Sequence, residues 1–161
     1  MFFKVLTAFL VLPGIVAGLV PLVLFFADPW RKEFHFSGLW VLSAGLLILL
    51  LCVRDFCVSG KGTLAPWSPP KRLVTRGLYR CSRNPMYVGV LILVGGWFIF
   101  AASPLIGLYL MVLMVSFHLR VVFYEEPELS RLFGDAWASY ASSVPRWFPV
   151  FKIFQKHINT S

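Results

Sequence analysis

Four long apolar segments limit what this chain can fold into. Each is long enough to span a hydrocarbon core, which needs roughly 20 residues of α-helix. The segments lie at about 5–27, 36–53, 86–102 and 105–123. Because lipid offers no hydrogen-bond partner to the backbone, such segments fold as helices. The sequence therefore predicts an all-α, polytopic membrane bundle of about four transmembrane helices, in a single domain over 1–161 with its first two membrane helices in 1–58.

The overall composition also favours a membrane environment. Hydrophobic residues make up 58% of the chain and charged residues 14%, with a mean hydropathy of +0.78, whereas about a quarter of a typical soluble domain is charged. The net charge of +8 does not indicate a nucleic-acid partner, because the basic residues lie between the apolar segments. That placement is typical of topology signals and of contacts with anionic membrane lipids. The three cysteines lack metal-ligand spacing, so no metal site is predicted.

The basic residues predict the orientation in the membrane. The stretch 54–83 contains seven Lys and Arg residues and one acidic residue, whereas the loop 28–35 contains only Arg31 and Lys32 as basic residues. Since loops rich in Lys and Arg stay in the cytoplasm, we expect the 54–83 loop and both termini to be cytoplasmic. The first apolar segment is too long for a cleaved signal peptide, so we expect it to be a membrane anchor.

The third and fourth segments predict a tight helical hairpin. Ser103 suits an N-cap and Pro104 suits the first helical position, so the fourth helix starts almost directly after the third ends. The two helices run out and back at 1.5 Å per residue, with about 19 residues each. The hairpin therefore brings the polar residues 83–85, at the start of the third helix, to the same membrane face as the acidic residues 125–126.

The start of the third helix has the features of an anion site. Asn84 and Pro85 predict an N-cap and a first-turn proline. A helix N-terminus presents free N–H groups and the positive end of the helix dipole, which suit a carboxylate or phosphate. Arg80 and Arg83 add positive charge beside it. The alternative is that Asn84 is only a cap and that the arginines contact lipid headgroups.

Glu125 and Glu126 are expected opposite this cluster. They precede Pro127, which predicts that the fourth helix ends there, and negative charge at a helix C-terminus is unfavourable. A site for a cation explains the two acids; the alternative is a salt bridge to Arg83 or Arg120. A helix start that favours anions and an acid pair that favours cations together predict a pocket for a zwitterionic amino acid ligand.

Aromatic and histidine side chains extend the predicted pocket. Tyr79 and Tyr87 are candidates to stack on a flat ring or to face a sulfonium through cation–π attraction. His118 lies on the same helical face as Glu125, seven residues earlier. A titratable group within a membrane segment is a functional candidate, and the alternative is a neutral, hydrogen-bonded histidine.

After Pro127, the sequence ELSRLFGDAWASYA predicts an amphipathic helix at the membrane interface. We expect this helix to anchor the chain; the alternative role is a cover over the site, with VPRWFP at 144–149 closing it and Arg146 pointing either in or out. Its apolar residues on roughly one side are Leu129, Leu132, Phe133, Trp137 and Tyr140.

Two motifs, RNPMYVG and EEPELSRLFGDAWASYASSVPRWFP, resemble the isoprenylcysteine carboxyl methyltransferase and phospholipid methyltransferase superfamily in order and separation. Its members are small integral membrane enzymes that use S-adenosylmethionine. The resemblance covers about 60–150 and implies a methyltransferase core with a cofactor pocket over 59–151. It departs from the family at Asn84, where the eukaryotic pattern usually has histidine. The residues that it assigns to the cofactor pocket are Arg83, Asn84, Pro85, Tyr87, Gly89, Glu125 and Glu126.

The residue patterns described above add Tyr79 and His118 to this set of cofactor-binding candidates. The candidates for catalytic roles are Glu126 and Arg146. The function predicted by the resemblance is S-adenosylmethionine-dependent methyl transfer to a lipophilic acceptor, prenylated-cysteine-like or phospholipid-like, at the cytoplasmic membrane face. Such an acceptor enters from the bilayer, and positioning supplies much of the acceleration without a metal. The alternatives are a membrane NADPH-dependent reductase of similar architecture and a non-catalytic transporter or scaffold.

Overall fold

The computed structural model describes residues 13–30, 34–59 and 73–147, without the side chains of 56–59. All regular elements within these ranges are helical, so the predicted all-α class is confirmed. The chain termini and the linker APWSPP at 65–70 lie outside the described residues. In chain order the elements are α1 (Ile15–Ala27, with a π-helical first turn), α2 (Ser37–Ser59), a 3-10 turn (Gly77–Arg80), α3 (Pro85–Ala101), α4 (Pro104–Arg120), a π turn (Val121–Glu125), α5 (Glu126–Phe133) and α6 (Asp135–Ser143).

Among the described residues, two helical stretches are long and apolar enough to cross a membrane. They are Ser37–Asp55 in α2 and Pro104–Phe133, which runs through α4, the π turn and α5. The apolar helices α1 and α3 are shorter. At 1.5 Å per residue, α3 rises about 25 Å, somewhat less than the roughly 30 Å of a hydrocarbon core. The four-span topology therefore stays a prediction, whereas two helices meet the length requirement.

The helices α2 and α3 pack closely through a seam of glycines. A Cβ atom at Gly38 or Gly45 of α2 would lie within 2.5 and 2.7 Å of backbone nitrogens of α3. In the same way, a Cβ at Gly96 of α3 would lie 2.7 Å from the backbone nitrogen of Leu42. Small residues allow membrane helices to approach until their backbones touch, which compensates for the weak hydrophobic driving force in lipid. The seam therefore fixes α3, and the helix start that it carries, against α2.

The link between α3 and α4 follows the predicted capping pattern. The Ser103 side chain accepts a hydrogen bond from the Ile106 N–H at 3.3 Å, and Pro104 is the first residue of α4. Asp28, at the end of α1, accepts hydrogen bonds from the Ser103 hydroxyl and from the Leu105 N–H. These contacts join α1 to the hairpin at the end of the bundle that lies away from residues 83–85.

The prediction that the fourth helix ends before Pro127 is wrong. The helix continues through the π turn, in which the Glu126 N–H bonds to the Val121 carbonyl, and then through α5. A proline inside a regular helix lacks a donor and clashes with the preceding turn. Here the π turn shifts the hydrogen-bond register directly before Pro127, so the proline lies in the first turn of α5, where a missing N–H is tolerated.

The predicted amphipathic helix consists of two helices. Gly134, with φ +49°, separates α5 from α6 in a backbone conformation that glycine adopts readily. Leu132, which lies before this break, is exposed, so the predicted apolar face is only partly packed. The other predicted residues of that face pack together: Leu129, Phe133, Trp137 and Tyr140.

Candidate functional site

The start of α3 and the π turn meet at one end of the bundle, as the hairpin predicts. Arg83 Nη1 lies 2.8 Å from Glu126 Oε1. Arg120 Nε lies 2.9 Å from Glu125 Oε1. The salt-bridge alternative for the acid pair is therefore observed, and the two adjacent glutamates face two different arginines.

Glu126 is shared between two guanidinium groups. Arg146 donates from Nε and Nη2 to the two carboxylate oxygens at 2.8 and 2.7 Å, while Arg83 donates to Oε1 at 2.8 Å. Bidentate contacts between arginine and a carboxylate are among the strongest hydrogen bonds in proteins. The hydrogen bond to Glu126 raises the pKa of Arg146 further above its already high usual value, so Arg146 stays charged. We call Arg83, Glu126 and Arg146 the Glu126 cluster; its two cations and one anion give a net positive charge.

Residues 144–147, here called the C-terminal strap, are held against the segment before α3. The Arg83 N–H donates to the Pro145 carbonyl at 2.9 Å. The Ser82 hydroxyl donates to the Arg146 carbonyl at 3.2 Å. The strap therefore brings the Arg146 side chain to Glu126 through contacts between parts of the chain that are distant in sequence.

Asn84 occupies the N-cap position of α3, but its side chain does not cap the helix. Its Nδ2 donates to the Arg146 carbonyl at 3.0 Å, and its own N–H donates to the Ser82 hydroxyl oxygen at 3.1 Å. The prediction of a side-chain cap at Asn84 is therefore wrong, because the amide is used as a donor that fastens the strap. Pro85 is the first residue of α3, as predicted.

Glu125 forms a second cluster with Tyr87 and Arg120. The Tyr87 hydroxyl donates to Glu125 Oε1. Arg120 Nε donates to the same carboxylate oxygen and lies 3.1 Å from the Tyr87 hydroxyl oxygen. The Tyr87 ring packs on Phe117 with 4.5 Å between the ring centroids. These contacts leave Tyr87 bound to its neighbours at both its hydroxyl and one ring face. We call Tyr87, Arg120 and Glu125 the Glu125 cluster.

Tyr79 lies in the 3-10 turn beneath α6. Its carbonyl accepts a hydrogen bond from the Tyr140 hydroxyl at 2.7 Å. Asp55, at the end of α2, accepts the Leu78 N–H at 3.2 Å and occupies the space that a Cβ at Gly77 would need. Burial raises the pKa of Tyr79 well above its usual value and that of Tyr140 to about 12, so both phenols stay protonated at neutral pH.

His118 and Gly89 lie at the edges of this region. The Trp147 indole N–H donates to His118 Nδ1 at 3.3 Å, and the two rings stack with 6.2 Å between centroids. An indole nitrogen only donates, so this Nδ1 acts as an acceptor, as in the hydrogen-bonded alternative. A Cβ at Gly89 would lie 3.1 Å from side-chain atoms of Ile48 and Leu49, which places Gly89 in the glycine seam with α2.

One polar atom of the Glu126 cluster has no partner within the described part of the chain. Arg83 Nε is buried and makes no hydrogen bond to any residue there, although its guanidinium lies 5.8 Å from the Trp137 ring centroid. The two arginines can bind a carboxylate, and the Glu126 carboxylate can bind an ammonium group. The cluster therefore has the donors and acceptors that the amino acid end of a zwitterionic ligand requires.

A model of the phospholipid methyltransferase family matches residues 35–136, which is more than half of the chain. The chain belongs to the phospholipid methyltransferase family. The matched residues include the Glu125 cluster, Arg83 and Glu126, and they end before Arg146. Membership in the superfamily that the two sequence motifs predict is thereby confirmed, and the family is one of membrane-associated proteins.

Curated relatives share this region. Protein-S-isoprenylcysteine O-methyltransferase B of Arabidopsis thaliana is 33% identical over 78 residues, 48% of this chain and 40% of the relative. Form A of the same plant is 35% identical over 77 residues, 48% of this chain and 39% of the relative. Protein-S-isoprenylcysteine O-methyltransferase of Rattus norvegicus is 27% identical over 121 residues, 70% of this chain and 43% of the relative. The chain thus spans about two fifths of the length of these relatives, and no solved structure matches it significantly.

Several residues of the site were not among the sequence candidates. Ser82 and Asp55 carry hydrogen bonds that hold the segments before α3, and Tyr140 bonds to the 3-10 turn. Arg120 was expected only as an alternative ion-pair partner. Short polar side chains that bond to distant backbone groups leave no local sequence pattern, so the sequence alone had no signal for Ser82.

Proposed function

We propose that this protein transfers a methyl group from S-adenosylmethionine to a lipophilic acceptor, prenylated-cysteine-like or phospholipid-like, at the cytoplasmic face of the membrane. The observation that carries the proposal is the position of Glu126 between Arg83 and Arg146, in a chain of the phospholipid methyltransferase family. The curated relatives are named as O-methyltransferases of S-isoprenylcysteine. A prenylated cysteine is an acceptor with a polar reacting end and an apolar tail.

The Glu126 cluster suits the methionine end of the cofactor. Arg83 and Arg146 present guanidinium groups to a carboxylate, and the buried Nε of Arg83 is a donor that no described residue uses. Glu126 presents a carboxylate to an ammonium group. Because a ligand with both charges can take over contacts that these side chains make with each other, its binding leaves no charge in the cluster unpaired. When bound, S-adenosylmethionine supplies an electrophilic methyl group on a sulfonium.

The residues around this cluster orient and shield the reactants. Trp137 and Tyr140 are buried in α6, and Tyr140 bonds to the 3-10 turn. We expect them to restrict the access of water from the polar side. On the lipid side, α4 exposes a continuous apolar surface along which an acceptor can approach from the bilayer. Holding two reactants in a productive geometry accounts for a large part of the acceleration in such transfers. The exposed residues of that surface include Leu108, Met111, Val112, Val115 and Leu119.

We also propose that the end with the Glu126 cluster is cytoplasmic, with both chain termini on the same side and four membrane spans. The described residues at this end include Arg54, Arg76 and Arg80, and an excess of arginine favours the cytoplasmic side. Cys81 is exposed at this end. In a Cys57→Ser variant, we expect Cys81 to resist a membrane-impermeant thiol reagent in intact cells and to react after permeabilisation. Labelling in intact cells would contradict the orientation.

The transfer itself is tested with purified protein in lipid nanodiscs. The protein is incubated with methyl-labelled S-adenosylmethionine and a lipid extract of the host, and labelled products are identified by mass spectrometry. We expect label in a product that partitions into organic solvent, and much less label with Glu126→Gln. Oxidation of NADPH without label transfer would instead favour the reductase alternative. Failure to bind S-adenosylmethionine at all would overturn the proposal.

A further inference from the structure

Arg120 and Glu125 form an ion pair across a spacing that a regular α-helix does not bring together. At 3.6 residues per turn, residues five apart lie about 140° apart around the helix axis, and only residues three or four apart are neighbours. Arg120 Nε nevertheless lies 2.9 Å from Glu125 Oε1. The contact is possible because the residues between them form the π turn Val121–Glu125. The π-helical geometry therefore brings the two side chains to the same side of the helix.

The π turn decides where Glu126 points. Its extra residue shifts every later side chain by one position, which is about 100° around the axis of a regular helix. Glu126 is the first residue after the turn, and its carboxylate meets Arg83 and Arg146. If the same sequence continued as a regular α-helix, Glu126 would be rotated away from both arginines.

Tyr87 connects this turn to the helix that carries the other half of the site. Its hydroxyl donates to Glu125 and accepts from Arg120, so both members of the ion pair are bonded to α3. Tyr87 lies in the first turn of α3, four residues after Arg83. The Glu125 cluster thus fixes the π turn relative to the segment that holds Arg83.

We propose that Arg120 is a positioning residue: together with Glu125 and Tyr87 it holds the π turn that directs Glu126 toward Arg83 and Arg146. The inference rests on the proposed function insofar as the Glu126 cluster binds S-adenosylmethionine. It gives the two adjacent glutamates different roles. Glu126 contacts the ligand, whereas Glu125 acts through the shape of the helix and does not touch the ligand.

Exchanging the charges of Arg120 and Glu125 distinguishes a positioning role of Glu125 from direct contact with the ligand. Arg120→Gln and Glu125→Gln each remove the ion pair, and each should weaken S-adenosylmethionine binding by about tenfold or more in calorimetry. The double variant with Arg120→Glu and Glu125→Arg re-forms the pair in the same turn, and a tyrosine hydroxyl can donate to or accept from either partner. It should therefore bind within about threefold of the wild type. If Glu125 itself held the ligand, the exchanged protein would remain as weak as the single variants, and the proposal would be overturned.

The chain offers a matched control. Glu128 and Arg131 form an ion pair three residues apart on α5, with the side chains 34% and 72% exposed. Exchanging these two charges should leave the affinity unchanged, because no π turn depends on them. If that exchange weakened binding as much as Arg120→Gln, a general charge effect would replace the positioning role of Arg120.

A measurement without ligand separates this inference from the proposed function. The thermal unfolding midpoint is measured for three variants: Arg83→Gln, Glu126→Gln and the two combined. The shifts of the midpoint give the coupling between these two residues. We expect a clear coupling in the wild-type background and its loss in the Arg120→Gln background. Coupling that survives Arg120→Gln overturns the positioning role, whatever the ligand is, whereas a wild-type protein that binds no S-adenosylmethionine overturns only the proposed function. Should Arg120→Gln not fold, the milder Tyr87→Phe takes its place, and unchanged coupling there also overturns the role.

Discussion

The two ends of the helical bundle each centre on a carboxylate, but they are assembled differently. At the end formed by α1 and the α3–α4 link, Asp28 is 3% exposed and accepts hydrogen bonds from the Ser103 hydroxyl and from a backbone N–H of α4. At the opposite end, the side chain of Glu126 is 17% exposed and is bonded to two arginines from different parts of the chain. The Asp28 carboxylate bonds to donors at the α3–α4 link and so fixes a joint between helices. A carboxylate shared between cations can exchange one partner for a ligand.

The two ends also differ in the number of chain segments that they join. The Asp28 end joins α1 to a local hairpin, with a capping pattern that is repeated in many helices. The Glu126 end assembles the segment before α3, the π turn and the C-terminal strap, and it contains the buried Arg83 Nε. An arrangement that needs several distant segments, and in which one buried donor has no partner among the described residues, is more than a structural joint requires. This contrast predicts that substitutions at the two ends will separate stability from ligand affinity.

Glu126→Gln should have the largest effect, since it lowers both the stability of the fold and the affinity for the ligand. The substitution keeps the shape of the side chain but leaves the partly buried Arg83 and Arg146 facing each other without an anion. Removing one partner from such a group costs about 3 kcal/mol of the free energy of unfolding. S-adenosylmethionine binding should weaken by roughly ten- to a hundredfold, because a charge-assisted hydrogen bond contributes about 1.5–3 kcal/mol. Thermal unfolding and calorimetry measure the two quantities; lost stability with intact affinity would reduce Glu126 to a structural role.

Asp28→Ala tests the other end. It leaves the Ser103 hydroxyl and the Leu105 N–H without their acceptor in a buried position, where each unsatisfied group costs about 1–3 kcal/mol. We expect the unfolding midpoint to fall clearly, while the dissociation constant for S-adenosylmethionine stays within about twofold of the wild type, as for independent distant sites. A parallel loss of affinity would mean that the two ends are coupled and that the division between joint and site is wrong.

The parts of this architecture that follow from local signals could be predicted from the sequence. Proline and serine at the helix starts predicted the first residues of α3 and α4 within one residue, because capping depends on a few adjacent residues. The hairpin between them then predicted that the segment 83–85 meets the acid pair. Both outcomes needed only helix geometry and loop length.

The contacts that complete the site depend on information that is not local. Asn84 was expected to cap α3, yet its amide bonds to a carbonyl 62 residues later in the chain. The π turn has no sequence signature comparable to a capping motif, and Pro127 directly after it predicted the end of the helix instead. An error of one residue in the helical register changes the direction of every later side chain. For this reason the sequence indicated that residues 83–85 and the acid pair meet at one end of the bundle, but not which glutamate faces which arginine.

Asn84→Ala should have an intermediate effect on the site end. It removes one hydrogen bond that fastens the strap, and a neutral hydrogen bond is worth about 0.5–1.5 kcal/mol. The Ser82 and Arg83 contacts to the strap remain, so we expect the protein to fold and to bind S-adenosylmethionine several-fold more weakly. Asn84→Ser is the control for helix capping, since serine caps well but is too short to reach the strap as asparagine does. Full recovery of affinity in the serine variant would restore the capping role that the structure contradicts.

Gly89→Ala should have the smallest effect on binding. It tests whether Gly89 only packs in the glycine seam or belongs to the cofactor pocket. A Cβ at this position would lie 3.1 Å from side-chain atoms of Ile48 and Leu49, which must move by a few tenths of an ångström. Extra volume in a packed interface costs about 1 kcal/mol, and part of this is offset because alanine favours the helix more than glycine. We therefore expect a small decrease of the unfolding midpoint and an unchanged dissociation constant for S-adenosylmethionine. If the affinity fell while the unfolding midpoint held, Gly89 would belong to the cofactor pocket, as the resemblance implies, and the boundary of the site would extend one turn deeper along α3.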